Sequence, residues 1–113
     1  MIEQLRPLEL AGWLAARQAE RPLVLDVREL WEVEAACIAP PAGAELQVIP
    51  MHALPARVHE IERGRAIACL CHHGGRSMQV ALFLARQGFE RLANVAGGID
   101  AWSLECDPGV PRY

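Results

Sequence analysis

An α/β fold, a central parallel sheet with helices on both faces, is what this sequence predicts, and three observations predict it. Strand-like and helix-like stretches alternate along the 113 residues. The run Ala66-Ile67-Ala68-Cys69-Leu70-Cys71 is apolar without alternation, as in a strand covered on both faces. No repeat, linker or low-complexity stretch interrupts the chain, so one domain over residues 1–113 is expected.

The elements follow in order. Leu8 to Ala19 carries Leu10, Trp13 and Leu14 at helical spacing and stops before Glu20-Arg21-Pro22, which predicts a first helix. Leu23-Val24-Leu25-Asp26-Val27, rich in branched residues after a proline, predicts a buried strand. Glu29 to Ala36 reads as a helix with Trp31 and Val33 apolar, and Pro40-Pro41-Ala42-Gly43 as a loop. Gln47-Val48-Ile49 is a short strand stopped by Pro50, and Leu54 to Glu62 a helix presenting Leu54, Val58 and Ile61. After the turn Glu62-Arg63-Gly64-Arg65 comes the apolar strand to Cys71. Ser77 to Gln87 is the strongest helix pattern, with Gly88 placed as its C-terminal cap. Leu92-Ala93-Asn94-Val95 is a last strand and Ile99 to Leu104 a last helix, before Pro108 and Pro111 break the tail.

Composition narrows the function. At 52% hydrophobic the chain can bury a core without disulfides or structural metal. Its net charge of −3 comes from 11 basic and 14 acidic residues with no basic stripe, which argues against nucleic acid or an anionic membrane as partner. No apolar run reaches membrane-spanning length, and Met1-Ile2-Glu3-Gln4 does not open a signal peptide. A cytoplasmic location is therefore expected, with Cys37, Cys69, Cys71 and Cys106 as reduced thiols. Cys37 and Cys106 lack polar neighbours of catalytic type and read as small, half-buried residues.

The chemistry concentrates in Cys71-His72-His73-Gly74-Gly75-Arg76-Ser77. A cysteine there can be a nucleophile, a metal ligand beside two histidines, or a buried thiol before a turn. It ends a buried strand, and a helix starts a few residues later, so the connection bends sharply. Two glycines permit backbone angles closed to other residues and let a ligand approach the main chain. Successive amides in such a turn, the helix N-terminus and Arg76 all favour a negative charge. Thiolate is the charged and nucleophilic form of cysteine, so this setting argues for covalent catalysis at sulfur. In parallel sheets ligands sit beyond the carboxyl ends of the strands, where both Cys71 and Asp26-Val27-Arg28 fall.

This loop resembles the active-site loop of single-domain rhodanese-like sulfurtransferases. Leu25-Asp26-Val27-Arg28-Glu29 with Trp31-Glu32 resembles that family's early Asp-x-Arg motif, and Asn94-Val95-Ala96-Gly97-Gly98-Ile99-Asp100-Ala101-Trp102 its late Gly-Gly segment. The match runs from about Pro7 to the end in the family's order of elements. The resemblance implies a rhodanese-like α/β fold and a sulfur-carrying Cys71. It implies a sulfane-sulfur donor such as thiosulfate, a thiophilic acceptor such as cyanide, a thiol or a protein, and no cofactor. His72, His73, Gly74, Gly75, Arg76 and Ser77 would form the substrate-binding loop, its amides holding the terminal sulfur, with Arg76 orienting an anionic donor or bracing the loop. Cysteine phosphatases of related fold have one more residue between Cys and Arg. Four residues separate Cys71 from Arg76 here, a tighter loop that suits one sulfur atom. A sulfur-relay or regulatory module acting on a partner protein is the first alternative reading, and a cysteine phosphatase the less favoured second. The chain departs from the family at Cys37-Ile38-Ala39-Pro40-Pro41-Ala42-Gly43-Ala44, where a shorter segment with a histidine is usual.

Other residues admit plainer readings. Cys69-x-Cys71 followed by two histidines offers zinc-ligand types, but Cys69 lies inside the strand and no second ligand cluster is near in sequence, so no metal is expected. His72 and His73 could tune the site or take part in proton transfer, since histidine titrates near neutral pH; the plainer and preferred reading makes them suppliers of loop amides with side chains toward solvent. Asp26 is read as a carboxylate bracing a loop at a strand end, with Arg28 its basic partner. Trp13, Trp31 and Trp102 read as core packing. Gly97-Gly98 reads as a tight strand-to-helix turn, since it lacks the spacing of a nucleotide loop.

Overall fold

A computed structural model describes residues 2–113; Met1 lies outside them. Five strands run parallel: β1 (Glu3–Leu5), β2 (Leu23–Asp26), β3 (Glu45–Val48), β4 (Ile67–Leu70) and β5 (Leu92–Val95). Their spatial order is β1-β5-β4-β2-β3. The helices are α1 (Pro7–Ala15), α2 (Leu30–Ala35), α3 (Leu54–Arg57), α4 (Gly75–Arg86) and α5 (Gly98–Glu105).

β2, β4 and β5 are buried along their whole length, which explains why their residues do not alternate in polarity. Successive side chains still point to opposite faces. Val24, Ala68, Leu70, Ala93 and Val95 pack with α1 and α5 through Leu10, Leu14, Ile99 and Trp102. Leu23, Leu25, Ile67, Cys69 and Leu92 pack with Leu54 of α3 and with Val80, Ala81 and Leu84 of α4. The edge strands β1 and β3 are the partly exposed ones. No helix among the described residues is long and apolar enough to cross a membrane.

The topology fixes where chemistry can occur. From β2 the chain passes through α2 to β3 on one side, and from β4 through α4 to β5 on the other. The order of strands therefore reverses between β2 and β4, and in sheets of this kind ligands sit beyond the carboxyl ends of the strands at that point. Asp26 pairs in register with Leu70, so the segments that follow them, Val27-Arg28 and Cys71, lie side by side.

Several boundaries differ from the sequence reading. α1 stops at Ala15, and Gln18–Glu20 forms a separate 3-10 turn rather than continuing the helix. The helix expected over Leu54 to Glu62 is four residues of α-helix between 3-10 turns at Met51–Ala53 and Val58–Glu60. β3 begins at Glu45, and α4 starts at Gly75 instead of Ser77. β1 has no counterpart in the reading; it is three residues long and pairs with β5 across the length of the chain. Trp31 is 64% exposed, so it is not a core residue; the buried position on α2 is Glu32. Cys37 is exposed rather than half-buried.

Candidate active site

Cys71 directly follows β4, and its side chain is buried (1% exposed) at the carboxyl end of that strand. Two donors address its sulfur. The Gly74 amide donates to Sγ at 3.0 Å, and the Ser77 hydroxyl lies 3.1 Å away. Gly74 has φ +103, a left-handed conformation that turns its N–H back toward the sulfur and starts α4. The position of α4 then sets its N-terminal dipole against the same atom. Donors aimed this way stabilise negative charge on sulfur.

The loop is also held from the far side. The amides of Ile99 and Asp100 at the start of α5 donate to the carbonyls of Cys71 (2.9 Å) and His72 (3.1 Å). That approach requires Gly98, whose φ is +62. A Cβ there would meet the His72 and Cys71 carbonyl oxygens at 2.4 and 2.5 Å. The Gly97-Gly98 pair is therefore more than a turn: it lets α5 dock its N–H groups on the Cys71 loop.

Arg76 leaves the loop sideways. Its guanidinium forms a bidentate pair with Glu32 of α2, at 2.6 and 2.7 Å. The Glu32 carboxylate accepts two further hydrogen bonds, from the Glu29 amide (3.0 Å) and the Tyr113 hydroxyl (2.7 Å). The Arg76 pair, more than any other contact, lowers the Glu32 carboxyl to about 2. A carboxylate lowered on folding adds stability above its ordinary value and loses it as pH falls. The pair's contribution should therefore fade as pH drops from 4.5 to about 2, an effect of roughly 3 kcal/mol. Urea unfolding midpoints across this range should fall in the native protein, and the slope should flatten in Glu32→Gln. Parallel curves for the two proteins would contradict it.

Tyr113 continues the network. Its hydroxyl accepts from Arg28 Nη1 at 3.1 Å while donating to Glu32, and its ring stacks on His72 at 4.0 Å. Arg28 is wholly buried with every side-chain N–H engaged: Nε and Nη2 on Asp26 (2.9 and 2.7 Å), Nη2 on the Ala36 carbonyl, and Nη1 on the Glu32 carbonyl and Tyr113. Asp26 also accepts the Arg28 backbone amide at 3.1 Å. Asp26 and Arg28 thus stand behind the loop rather than against the sulfur.

His72 stacks between Tyr113 and His73, and burial followed by repulsion from His73 lowers its imidazole below the usual range. Its side chain is thus half-buried in the stack, while His73 faces solvent. His72, His73 and Asp100 bring ligand atoms within 4.8 Å of one another. The protein already engages them, however: Asp100 pairs with Arg112 at 2.9 Å and His72 is stacked. Cys69 faces the core, where burial pushes its thiol up to about 12. Sequence reasoning missed Glu32, Tyr113 and Asn94. For Glu32 a signal existed, a carboxylate three residues after Glu29 on the inner face of a short helix.

A family model described as a rhodanese-like domain matches residues 10–105. The chain belongs to the rhodanese-like family. A protein named sulfurtransferase from Allochromatium vinosum is 34% identical over 103 residues, covering 91% of this chain and 90% of that protein. A chloroplastic rhodanese-like/PpiC domain-containing protein of Arabidopsis thaliana is 37% identical over 94 residues, covering 80% of this chain and 30% of that protein. This chain thus spans under a third of that longer relative but nearly the whole of the Allochromatium one. Among solved structures, a rhodanese-related protein from Thermoplasma volcanium superposes with a TM-score of 0.74 at 29% identity, covering 98% of this chain and 99% of that one. As in these rhodanese-like relatives, the five-stranded parallel sheet here carries helices on both faces.

Proposed function

We propose that this rhodanese-like protein is a sulfurtransferase that carries a sulfane sulfur as a Cys71 persulfide. The observation that carries the reading is the pair of donors on Cys71 Sγ, the Gly74 amide at 3.0 Å and the Ser77 hydroxyl at 3.1 Å, inside a loop with four residues between Cys71 and Arg76. The name of the Allochromatium relative supports the same class of reaction.

In the first half-reaction the Cys71 thiolate attacks the outer sulfur of thiosulfate. A new S–S bond forms, the bond to the sulfonate sulfur breaks, and its electron pair leaves with sulfite. In the second, an acceptor nucleophile such as cyanide or a thiolate attacks the terminal sulfur. The persulfide bond breaks, its electron pair returns to Sγ, and the product departs as thiocyanate or a new persulfide. The loop amides and helix N-terminus hold the negative charge in the intermediate. Arg76, already paired to Glu32, braces the loop, leaving His72 to Gly75 to face the donor.

A protein acceptor is the second reading, favoured by the apolar rim. Leu30 and Trp31 are each 64% exposed, and the Trp31 ring meets Tyr113 edge-on at 6.0 Å. The test is intact-mass measurement after thiosulfate treatment. One added sulfur atom, removed by cyanide as thiocyanate, is expected. An unchanged mass under conditions that leave the protein folded would exclude thiosulfate as donor, and an unchanged mass with glutathione persulfide as well would overturn sulfur carriage.

A further inference from the structure

The Ser77 hydroxyl is contested. Its oxygen, wholly buried, lies 2.5 Å from Asn94 Oδ1, 3.1 Å from Cys71 Sγ and 3.3 Å from the Gly74 carbonyl. A hydroxyl has one proton to donate. Asn94 cannot easily turn to relieve the contest. Its Nδ2 donates to the Gly74 carbonyl at 3.2 Å and to Gln4 Oε1 at 3.0 Å, which keeps Oδ1 toward Ser77. The two states of the sulfur therefore require different arrangements. With Cys71 as thiol, S–H donates to Ser77 Oγ, and Ser77 donates to Asn94, so each group is satisfied. With Cys71 as thiolate, the proton has gone to solvent and Ser77 must turn its own proton to the sulfur. Asn94 Oδ1 then loses its donor and faces a hydroxyl oxygen at short range, which is costly in a buried site.

We infer that Asn94 is a positioning residue that competes with Cys71 for the single proton of the Ser77 hydroxyl and so weakens the hydrogen bond the loop can offer to a negatively charged sulfur. The inference deepens the proposed sulfur carriage and rests on it for its purpose, restraint of the empty nucleophile until a donor occupies the loop. Its geometry is independent of any donor. The ionisable groups around this centre come from several elements: Arg76 of α4 neutralised by Glu32 of α2, His72 in the loop stacked on Tyr113, Asp100 of α5 paired with Arg112, Asp26 paired with Arg28, and Cys69 of β4. β5 itself brings no titratable group, only Asn94.

The experiment measures the pH dependence of iodoacetamide alkylation at Cys71, located by peptide mass spectrometry and run without any sulfur donor. Asn94→Ala frees the Ser77 proton for the thiolate, so its alkylation midpoint should fall by about one pH unit, about tenfold faster labelling below the midpoint. Asn94→Asp, an acceptor-only side chain with added negative charge, should shift the midpoint upward. In a Ser77→Ala background the Asn94→Ala shift should vanish, which a general loosening of the loop would not produce. A midpoint unchanged or raised in Asn94→Ala, or a shift that persists without Ser77, overturns the inference. If Asn94→Ala does not fold by circular dichroism, Asn94→Asp decides, and a midpoint that stays or falls there overturns it. Sulfur loading measured separately tells this failure from a failure of the proposed function.

Discussion

Cys71→Ser is expected to abolish persulfide formation and to lower thiosulfate-to-cyanide turnover by more than about a thousandfold, the scale of losing a covalent nucleophile. Cys69→Ser is the matched control. The two cysteines stand two residues apart, and both are buried. Their surroundings nevertheless differ in kind. Cys69 points into the apolar layer of α3 and α4, where burial raises its thiol to about 12 and it makes no polar contact of consequence. Cys71 meets a backbone amide and a hydroxyl. Cys69→Ser puts a hydroxyl in an apolar setting and should cost about 1–3 kcal/mol of stability while leaving most turnover per folded molecule. Thiocyanate formation, assayed with unfolding curves for each protein, checks both halves. Residual transfer in Cys71→Ser near the native rate would refute Cys71 as the carrier, and loss of transfer in well-folded Cys69→Ser would show that the strand position takes part.

The Cys71 loop could be read because its signals are local. An apolar strand, a glycine pair, an arginine and a helix follow one another within a short stretch, and each restricts the same turn. The core strands were legible for a similar reason: burial on both faces leaves an unbroken apolar run at Ala66 to Cys71. What escaped depends on distance along the chain. β1 is three residues whose partners lie at Ala93, Asn94 and Val95. Tyr113 reaches Glu32 and Arg28 across more than two-thirds of the sequence, and no periodicity announces such a contact.

Trp31 misleads for a physical reason. The buried position of the six-residue α2 is Glu32, held there because Arg76, Tyr113 and the Glu29 amide supply four donors to its carboxylate. Hydrophobic periodicity cannot foresee a charge that is buried with full partners. The tryptophan beside it is displaced to the rim, where it borders the site.

The Asp26–Arg28 pair was visible as a pair, but its weight comes from the count of donors. Both side chains are essentially inaccessible, and Arg28 has no unengaged N–H. Asp26→Ala would orphan the Nε donor, one Nη2 donor and the Arg28 backbone amide, leaving a buried positive charge without its counterion. A loss of roughly 3–5 kcal/mol is expected, a large share of the 5–15 kcal/mol that holds a typical domain together. The effect should spread to the site, since the same guanidinium supports the Ala36 and Glu32 carbonyls and the Tyr113 hydroxyl. Asp26→Leu combined with Arg28→Met removes both charges and should be less destabilised than Asp26→Ala alone, because no unpaired ion remains. Rescue should be incomplete, as the Ala36 carbonyl loses its Arg28 donor and the Glu32 carbonyl keeps only the Ala36 amide. Urea denaturation of the three variants measures this. A loss under about 1 kcal/mol in Asp26→Ala would mean that water reaches Arg28 in its place, and the double variant would then show no advantage.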